Sequence, residues 1–225
     1  MSLHGQECYV SLCFRARNIY QHRRVVMSQN QNKPGEIATA KQQAIKLCQR
    51  GSFEEARGLL QELRQSGGKD AESCFMLGSI CGQLQDFDNA VMYCQEAIEL
   101  QPGSPQVHFG LGKALVQTGK LSEAEASFNK TLQLRPGFLP AVLELAKIHC
   151  NLGKLEEAER EFKQLLESES ESLEAFMGLG RIYQAWDKLE LAINYFRKAL
   201  DINPQLGDAH CHLGRIYLNQ AQMDE

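Results

Sequence analysis

Several features that mark whole classes of protein are scarce or missing in this sequence. It has no excess of basic residues, since 24 lysines and arginines stand against 28 aspartates and glutamates, giving a formal net charge of −4. Nucleic-acid-binding proteins usually show a basic excess. The sequence also lacks an apolar run near the roughly eighteen residues or more that a membrane-spanning helix needs. We therefore expect neither nucleic acid nor membrane as a partner.

Sequence patterns typical of catalysis and of metal binding are missing as well. There is no glycine-rich phosphate loop, no serine in a nucleophile-elbow setting and no pair of catalytic carboxylates. Zinc ligands usually come in pairs about two to four residues apart, a spacing that Cys74, Cys81 and Cys94 lack. We expect no enzymatic activity, no cofactor and no metal.

The eight cysteines do not predict a disulfide framework. Cys74, Cys81 and Cys94 fall on apolar helical stripes, where a free cysteine behaves as a small buried hydrophobic residue. Reduced thiols are typical of cytosolic proteins. These positions therefore indicate a cytoplasmic protein with free thiols.

What the sequence does contain is a motif that returns every 34 residues. Its most regular marker is a leucine followed by a small residue, found at Leu77-Gly78, Leu111-Gly112, Leu145-Ala146, Leu179-Gly180 and Leu213-Gly214. Two further markers are an alanine (Ala56, Ala90, Ala124, Ala158, Ala192) and a closing proline (Pro102, Pro136, Pro204). Self-similarity at a period of this size is typical of a stacked repeat array.

Each unit has the pattern of two helices separated by a short turn. In residues 71–104 the small or apolar residues Cys74, Leu77, Gly78 and Cys81 form one face of a first helix. A second apolar stripe starts at Phe87, and Pro102 ends that helix because proline lacks the required N–H. Two short helices cannot bury both apolar faces alone, so each unit needs its neighbour.

This pattern resembles the signature of the tetratricopeptide repeat (TPR) family. The resemblance covers residues 37–225 and is clearest in one unit, at Phe176, Leu179, Gly180, Tyr183, Ala192, Phe196, Ala199 and Pro204. The resemblance implies an all-α fold in which TPR helix-turn-helix repeats stack into a right-handed superhelical solenoid. It also implies a concave groove lined by the first helix of each pair.

We predict an irregular basic N-terminal segment and linker over residues 1–36, followed by the TPR array over 37–225. The segment 8–27 is rich in arginine, and it is either a short helix beside the array or a mitochondrial transit peptide. The units of the array are predicted at 37–70, 71–104, 105–138, 139–172, 173–206 and, in part, 207–225. The partial unit is expected to leave Leu213, Ile216 and Tyr217 uncovered, as in a fragment or in a chain that docks this end on something else.

The helix face opposite the packing stripe carries the candidate binding residues. Two positions after four of the five repeated leucines comes a cation, whereas Leu77 is followed there by Ser79; we call the set Lys113, Lys147, Arg181 and Arg215 the cation row. Four residues further on comes an amide, and we call the set Gln83, Gln117, Asn151 and Asn219 the amide row, with Ala185 as the exception. With helices about 8–10 Å apart, the cations would span roughly 25–30 Å, the length of about eight or nine extended residues.

The two rows predict binding of an extended, acidic segment of another protein. Amides can pair with an extended backbone, and apolar anchors are expected at Phe75, Phe109 and Met177. In the alternative interpretation each cation pairs internally with an acid at the start of a unit: Glu72, Glu174 or Asp208. The TPR pattern that clamps chaperone carboxy termini is not matched, because Ser79, Lys113 and Lys147 stand where an asparagine is expected.

The remaining polar motifs favour structural roles. His108 and His210 share the repeat position of Phe176, so we expect them to be packing residues. The pairs His149-Cys150 and Cys211-His212 are adjacent on predicted helices and would point to different faces, which disfavours a metal site.

The function predicted from the sequence is that of an interaction scaffold or adaptor. One alternative is the N-terminal, substrate-recruiting TPR region of a larger enzyme, such as a glycosyl-, sulfo- or methyltransferase. A third hypothesis is self-association through the incomplete C-terminal repeat.

Overall fold

The structure is a computed structural model that describes residues 34–223, so the predicted helix or transit segment over residues 8–27 lies outside the described part. The described residues form eleven α-helices and no β-strand, which confirms an all-α helical repeat fold. The chain divides into two compact units, Met1–Pro102 and Gly103–Glu225. Among the helices described, none is both long enough and apolar enough to cross a lipid bilayer.

The helix bounds follow the 34-residue period. The first unit contains α1 (Pro34–Gln49), α2 (Phe53–Gln65), α3 (Ala71–Gln83) and α4 (Phe87–Leu100). The second unit contains α5 (Pro105–Gln117), α6 (Leu121–Leu134), α7 (Leu139–Asn151), α8 (Leu155–Ser168), α9 (Leu173–Ala185), α10 (Leu189–Ile202) and α11 (Gly207–Met223). The first helix begins at Pro34, three residues inside the predicted linker, because proline is well tolerated in the first turn of a helix.

Within each unit, every helix packs against the next one along the chain. In the second unit α7 also contacts α9, so first helices of successive repeats touch directly. This stacking buries a continuous core around Phe162, Leu179 and Phe196, whose side chains are at most 1% exposed. The fold therefore gains its stability from neighbour-to-neighbour contacts, as expected for a repeat array.

The turn inside each hairpin has the same backbone geometry. The residue at its centre has a positive φ, at Gly51 (80°), Gln85 (60°), Gly119 (75°), Gly153 (73°) and Asp187 (56°). The next amide then bonds back into the preceding helix, as Lys154 N–H does to the His149 carbonyl at 2.8 Å, which is the bond of a Schellman motif. Glycine adopts this conformation without a steric penalty, which explains three of the five residues.

In three of the hairpins, close packing between the two helices requires glycine on the first helix. A Cβ atom added at Gly112 would lie 2.6 Å from the Phe128 ring, and one added at Gly180 would lie 2.5 Å from the Phe196 ring. In the first unit Gly78 meets the Cys94 thiol in the same way, at 2.8 Å. At Gly78, Gly112 and Gly180 the glycine is thus a requirement of helix packing.

The last helix is better covered than the sequence predicted. Leu213 and Ile216 are buried, with 8% and 1% exposure, because α11 packs against α10 and joins the core around Phe196. The expectation that both would be uncovered is wrong. Tyr217, by contrast, is 42% exposed.

The two histidines assigned to packing differ from each other. His108 is buried on α5, as expected. His210 is exposed, and its Nε2 lies 2.9 Å from the Pro204 carbonyl oxygen. Its assignment as a packing residue is wrong, because no helix of the described residues follows α11 to cover that side.

Candidate peptide-binding surface

The cation row lies on four helices of the second unit. Lys113 is on α5, Lys147 on α7, Arg181 on α9 and Arg215 on α11, each two residues after a buried leucine. Helical geometry turns a residue two positions from a core residue away from the core. Accordingly Lys113, Arg181 and Arg215 are exposed, and Lys147 is half-buried.

The members of the cation row differ in their pairing. Lys147 Nζ lies 3.1 Å from Glu144 Oε1 on its own helix. Over residues 34–223, Lys113, Arg181 and Arg215 have no ion pair. The predicted internal pairing with unit-start acids is therefore wrong: Glu72 pairs with Lys41 at 2.5 Å, while Glu174 and Asp208 pair with no cation in the described chain. Lys147 instead pairs with an acid of its own helix, at the three-residue spacing that makes side chains neighbours.

The amide row is divided between the two units. Gln83 lies on α3 in the first unit, whereas Gln117, Asn151 and Asn219 lie on α5, α7 and α11 in the second. All four side chains are exposed. None of them has a hydrogen bond to another described residue, so their donors and acceptors face solvent. Ala185 is exposed on α9 at the position where the row is interrupted.

A polar cluster that the sequence did not predict joins α9 to α11. His212 Nδ1 lies 2.8 Å from Gln184 Oε1, and Arg215 Nη2 lies 3.1 Å from the same His212 nitrogen and 3.3 Å from Gln184 Oε1. The His212 ring also stacks on Phe196, with centroids 4.8 Å apart.

The pKa of His212 is lowered by partial burial, then by the positive charges of Arg215 and Arg181, while Asp208 opposes them. Gln184 and His212 each lie three residues from a member of the cation row and hence on the same helix face. That spacing was the signal available in the sequence.

The predicted apolar anchors are used unequally. Phe109 packs between Phe128 and Phe138, with ring centroids 5.6 and 5.1 Å away, and Met177 packs against the core of the second unit. Phe75 instead lines an open apolar groove of about 380 Å³ between α1 and α3, together with Ile45. Of the three predicted anchors, Phe75 is thus the one that borders an open groove.

A second polar network lies between helices of the second unit and connects three of them. His149 on α7 is 7% exposed, and its ring nitrogens lie 2.9 Å from Glu161 Oε2 on α8 and 3.3 Å from Glu125 Oε1 on α6. Lys154 Nζ lies 2.9 Å from both Glu125 oxygens.

Hydrogen bonding from Lys154 lowers the pKa of Glu125, whereas burial raises the pKa of Glu161. Nowhere in residues 34–223 do three or more histidine, cysteine or acidic side chains stand where they could hold a metal ion. The contacts of this network join α6, α7 and α8.

Comparison with known proteins gives two family matches. Residues 68–188 match the model of the cilia and flagella-associated protein 70 middle TPR-like domain. Residues 173–206 match the tetratricopeptide repeat model. Among curated proteins, none matches the sequence significantly.

Several solved structures share the fold at low sequence identity. MamA from Desulfovibrio magneticus RS-1 is 19% identical with a TM-score of 0.70, covering 76% of this chain and 97% of its own. YrrB, described as a TPR protein with an unusual peptide-binding site, is 19% identical with a TM-score of 0.70. The match covers 83% of this chain and 94% of YrrB. A tetratricopeptide repeat protein from Parabacteroides merdae is 14% identical with a TM-score of 0.72 and covers 82% and 73%.

Proposed function

Because this chain belongs to the TPR family, and within it to that of the cilia and flagella-associated protein 70 middle TPR-like domain, we propose that it is a non-catalytic interaction scaffold. Its ligand is an extended, acidic segment of another protein. The segment lies along the face formed by the first helices of the second unit. The buried free cysteines support a cytoplasmic setting for this interaction.

The observation that carries the proposal is the exposure of cations that have no counter-charge. Lys113, Arg181 and Arg215 occupy equivalent positions on α5, α9 and α11, and they have no ion pair within the described chain. Like charges repel unless a ligand or salt neutralises them, so a series of this kind favours an anionic partner. Further support comes from the exposed amides of Gln117, Asn151 and Asn219, which suit a peptide backbone.

The charges alone do not supply the affinity. An exposed ion pair contributes about 0.2–1 kcal/mol, whereas a micromolar complex needs about 8 kcal/mol. Hydrogen bonds to the amide row and burial of apolar side chains of the ligand must together supply the remainder. The related fold of YrrB, itself described as having a peptide-binding site, is consistent with this use of the repeat surface.

Charge reversal on the first helices tests the proposal. We expect Lys113→Glu with Arg181→Glu to weaken binding of a labelled acidic peptide about tenfold or more, because two attractions become two repulsions. The measurement is fluorescence anisotropy at low and at high salt. At high salt, screening should remove most of the difference in affinity between the wild type and the variant.

The matched control reverses two exposed cations of the second helices. Lys130 lies on α6 and Arg160 on α8. Lys130→Glu with Arg160→Glu changes the net charge equally and should leave the affinity within about twofold. Equal losses in both double variants would contradict a defined binding face.

Self-association through α11 is a second candidate function. Leu218 on this helix is 66% exposed, the highest exposure among the large apolar side chains of the described residues. We expect the mass measured by light scattering to rise with protein concentration, and Leu218→Glu to abolish that rise. Leu191→Glu, at a 44% exposed leucine of α10, is the control. A constant mass at all concentrations would exclude this candidate.

A further inference from the structure

Two arginines and a histidine come together on the exposed side of α9 and α11. Arg215 and His212 are in direct contact, and Arg181 lies one helical turn before Gln184, whose side chain contacts both of them. Gln184 on α9 contacts Nδ1 of the His212 ring, and the Phe196 ring of α10 stacks against one face of it. Asp208 is the carboxylate that acts on this group.

We propose that Arg181, His212 and Arg215 form an anchor for a carboxylate side chain of the bound peptide, and that the peptide binds together with a proton taken up by His212. This inference rests on the proposed function, since it names the ligand chemistry and the regulation of the same surface. We call these three residues the carboxylate anchor.

The arginines provide the selectivity of the carboxylate anchor. Neither Arg181 nor Arg215 has an ion pair within the described chain, and Arg215 uses only Nη2 in its contacts with Gln184 and His212. The remaining guanidinium N–H groups match the two oxygens of a carboxylate, which a planar guanidinium binds in a bidentate manner.

Beside Arg215 the surface leaves room for such a group. The cavity lined by Asp208, Cys211, His212 and Arg215 has a volume of about 110 Å³. One water molecule takes about 30 Å³ in the liquid, so a carboxylate fits. Asp208 also lines the cavity and repels a bound carboxylate, so the attraction of the two arginines must outweigh that repulsion.

His212 couples binding to pH because its surroundings are positive in the free protein. The groups facing it are Arg215 and Asp208 from α11, Arg181 and Gln184 from α9, and the Phe196 ring from α10. Burial and the two arginines keep its pKa below the ordinary 6.5. A bound carboxylate adds a negative charge and raises that pKa.

The site of proton uptake follows from the contacts of the ring. The contact of Nδ1 with Gln184 Oε1 at 2.8 Å is shorter than its contact with Arg215 at 3.1 Å. This favours a proton on Nδ1, donated to the Gln184 oxygen, and leaves Nε2 to take up the second proton.

The sign of the pH dependence is fixed by this linkage. Because the bound state holds the proton more tightly than the free state, affinity rises as pH falls from the bound-state pKa to the lower free-state pKa of His212. Above that interval affinity is constant. The slope within it is at most about tenfold per pH unit.

The test uses the full-length chain and a fluorescein-labelled peptide of about nine residues in which glutamate and alanine alternate. Dissociation constants are measured between about pH 8 and pH 5.5 at constant ionic strength, a range in which glutamate, with a pKa of about 4.3, stays ionised. We expect affinity to increase on acidification. Arg215→Gln should weaken binding about two- to fivefold at the upper pH.

His212→Asn should remove the pH dependence, because asparagine retains an N–H toward Gln184 but does not titrate. Circular dichroism at both pH limits checks that this variant is folded. Should it unfold, the exposed Arg181→Gln and Arg215→Gln variants carry the test, since loss of either arginine must weaken binding. Arg160→Gln on α8 removes the same charge outside the anchor and should leave affinity and pH dependence unchanged.

The outcomes separate the two proposals. If the wild-type chain does not bind the glutamate peptide at any pH, the proposed function fails, and the anchor with it. If the peptide binds with an affinity that neither pH nor Arg215→Gln changes, peptide binding stands and the carboxylate anchor is overturned. Equal binding of a peptide with glutamine in place of glutamate also overturns the anchor. Competition by inorganic phosphate that exceeds competition by acetate would reject carboxylate as the ligand.

Discussion

Glycine occupies two different environments on the first helices of the second unit. Gly180 on α9 faces the Phe196 ring, which a Cβ atom would approach to 2.5 Å. Gly214 occupies the same repeat position on α11, yet a Cβ atom there would have nothing within 4 Å. The same residue is thus a packing requirement in one repeat and only a weak helix former in another.

This contrast gives a prediction about stability. We expect Gly180→Ala to lower the free energy of unfolding by about 1–3 kcal/mol, because the methyl group overpacks a rigid aromatic contact. Gly214→Ala should instead raise it by up to about 1 kcal/mol, because alanine is the better helix former and the site is open. Urea denaturation followed by circular dichroism measures both. Equal effects of the two substitutions would show that the Phe196 contact does not constrain α9.

Single residues also show where sequence reasoning reaches its limit. The Leu-Gly pair marked the repeat in the sequence, and at Gly78 it coincides with a close contact to the Cys94 thiol. The left-handed backbone at Gln85 and Asp187 was not predicted. Neither residue type requires that conformation, and only the equivalent turns at Gly51, Gly119 and Gly153 indicate it.

At the scale of helices, His149 joins α7 to both of its neighbours. Each ring nitrogen faces a carboxylate, Glu161 on α8 and Glu125 on α6. A neutral imidazole has one N–H and donates to only one of them. Satisfying both contacts therefore requires a further proton, held on the ring or on one of the carboxyl groups.

Removing His149 alone should lower the free energy of unfolding more than removing His149 and Glu161 together. His149→Leu leaves Glu161 half-buried with its partner gone, and we expect a loss of about 1–3 kcal/mol in the free energy of unfolding. Adding Glu161→Leu should recover much of that loss, because replacing both groups of a buried polar pair by apolar ones is often nearly neutral. The measurement is chemical denaturation of both variants and the wild type. A double variant less stable than the single one would contradict this account.

The helices themselves were largely predictable, whereas the contacts between them were not. Apolar spacing and closing prolines gave the period and the helix pairs. The His149 network and the Gln184–His212–Arg215 cluster depend on which helix faces meet, and residues 24 to 31 positions apart come together in them. Adjacent histidines and cysteines in the sequence carried no sign of these partners.

At the scale of the whole molecule, the family and the all-α repeat fold were predicted from the sequence, but the chemical difference between the two units was not. At the position of the cation row, the first unit has Ile45 and Ser79, and an apolar groove lies beside them. A repeat motif is recognised by its packing residues. It carries little information about the solvent-facing positions, where each repeat differs.

The contacts of His149 with Glu125 and Glu161 have a consequence for the folding of the chain. All hairpins of the array have similar packing faces. During folding, a hairpin could therefore pack against one that is not its neighbour in the sequence. His149 meets a carboxylate at each ring nitrogen because it lies between Glu125 and Glu161, and a different neighbouring hairpin would leave buried polar groups without a partner. Hairpins that pack in the wrong order would therefore be less stable than the native order. Substitution of His149 should make such misfolded forms more frequent.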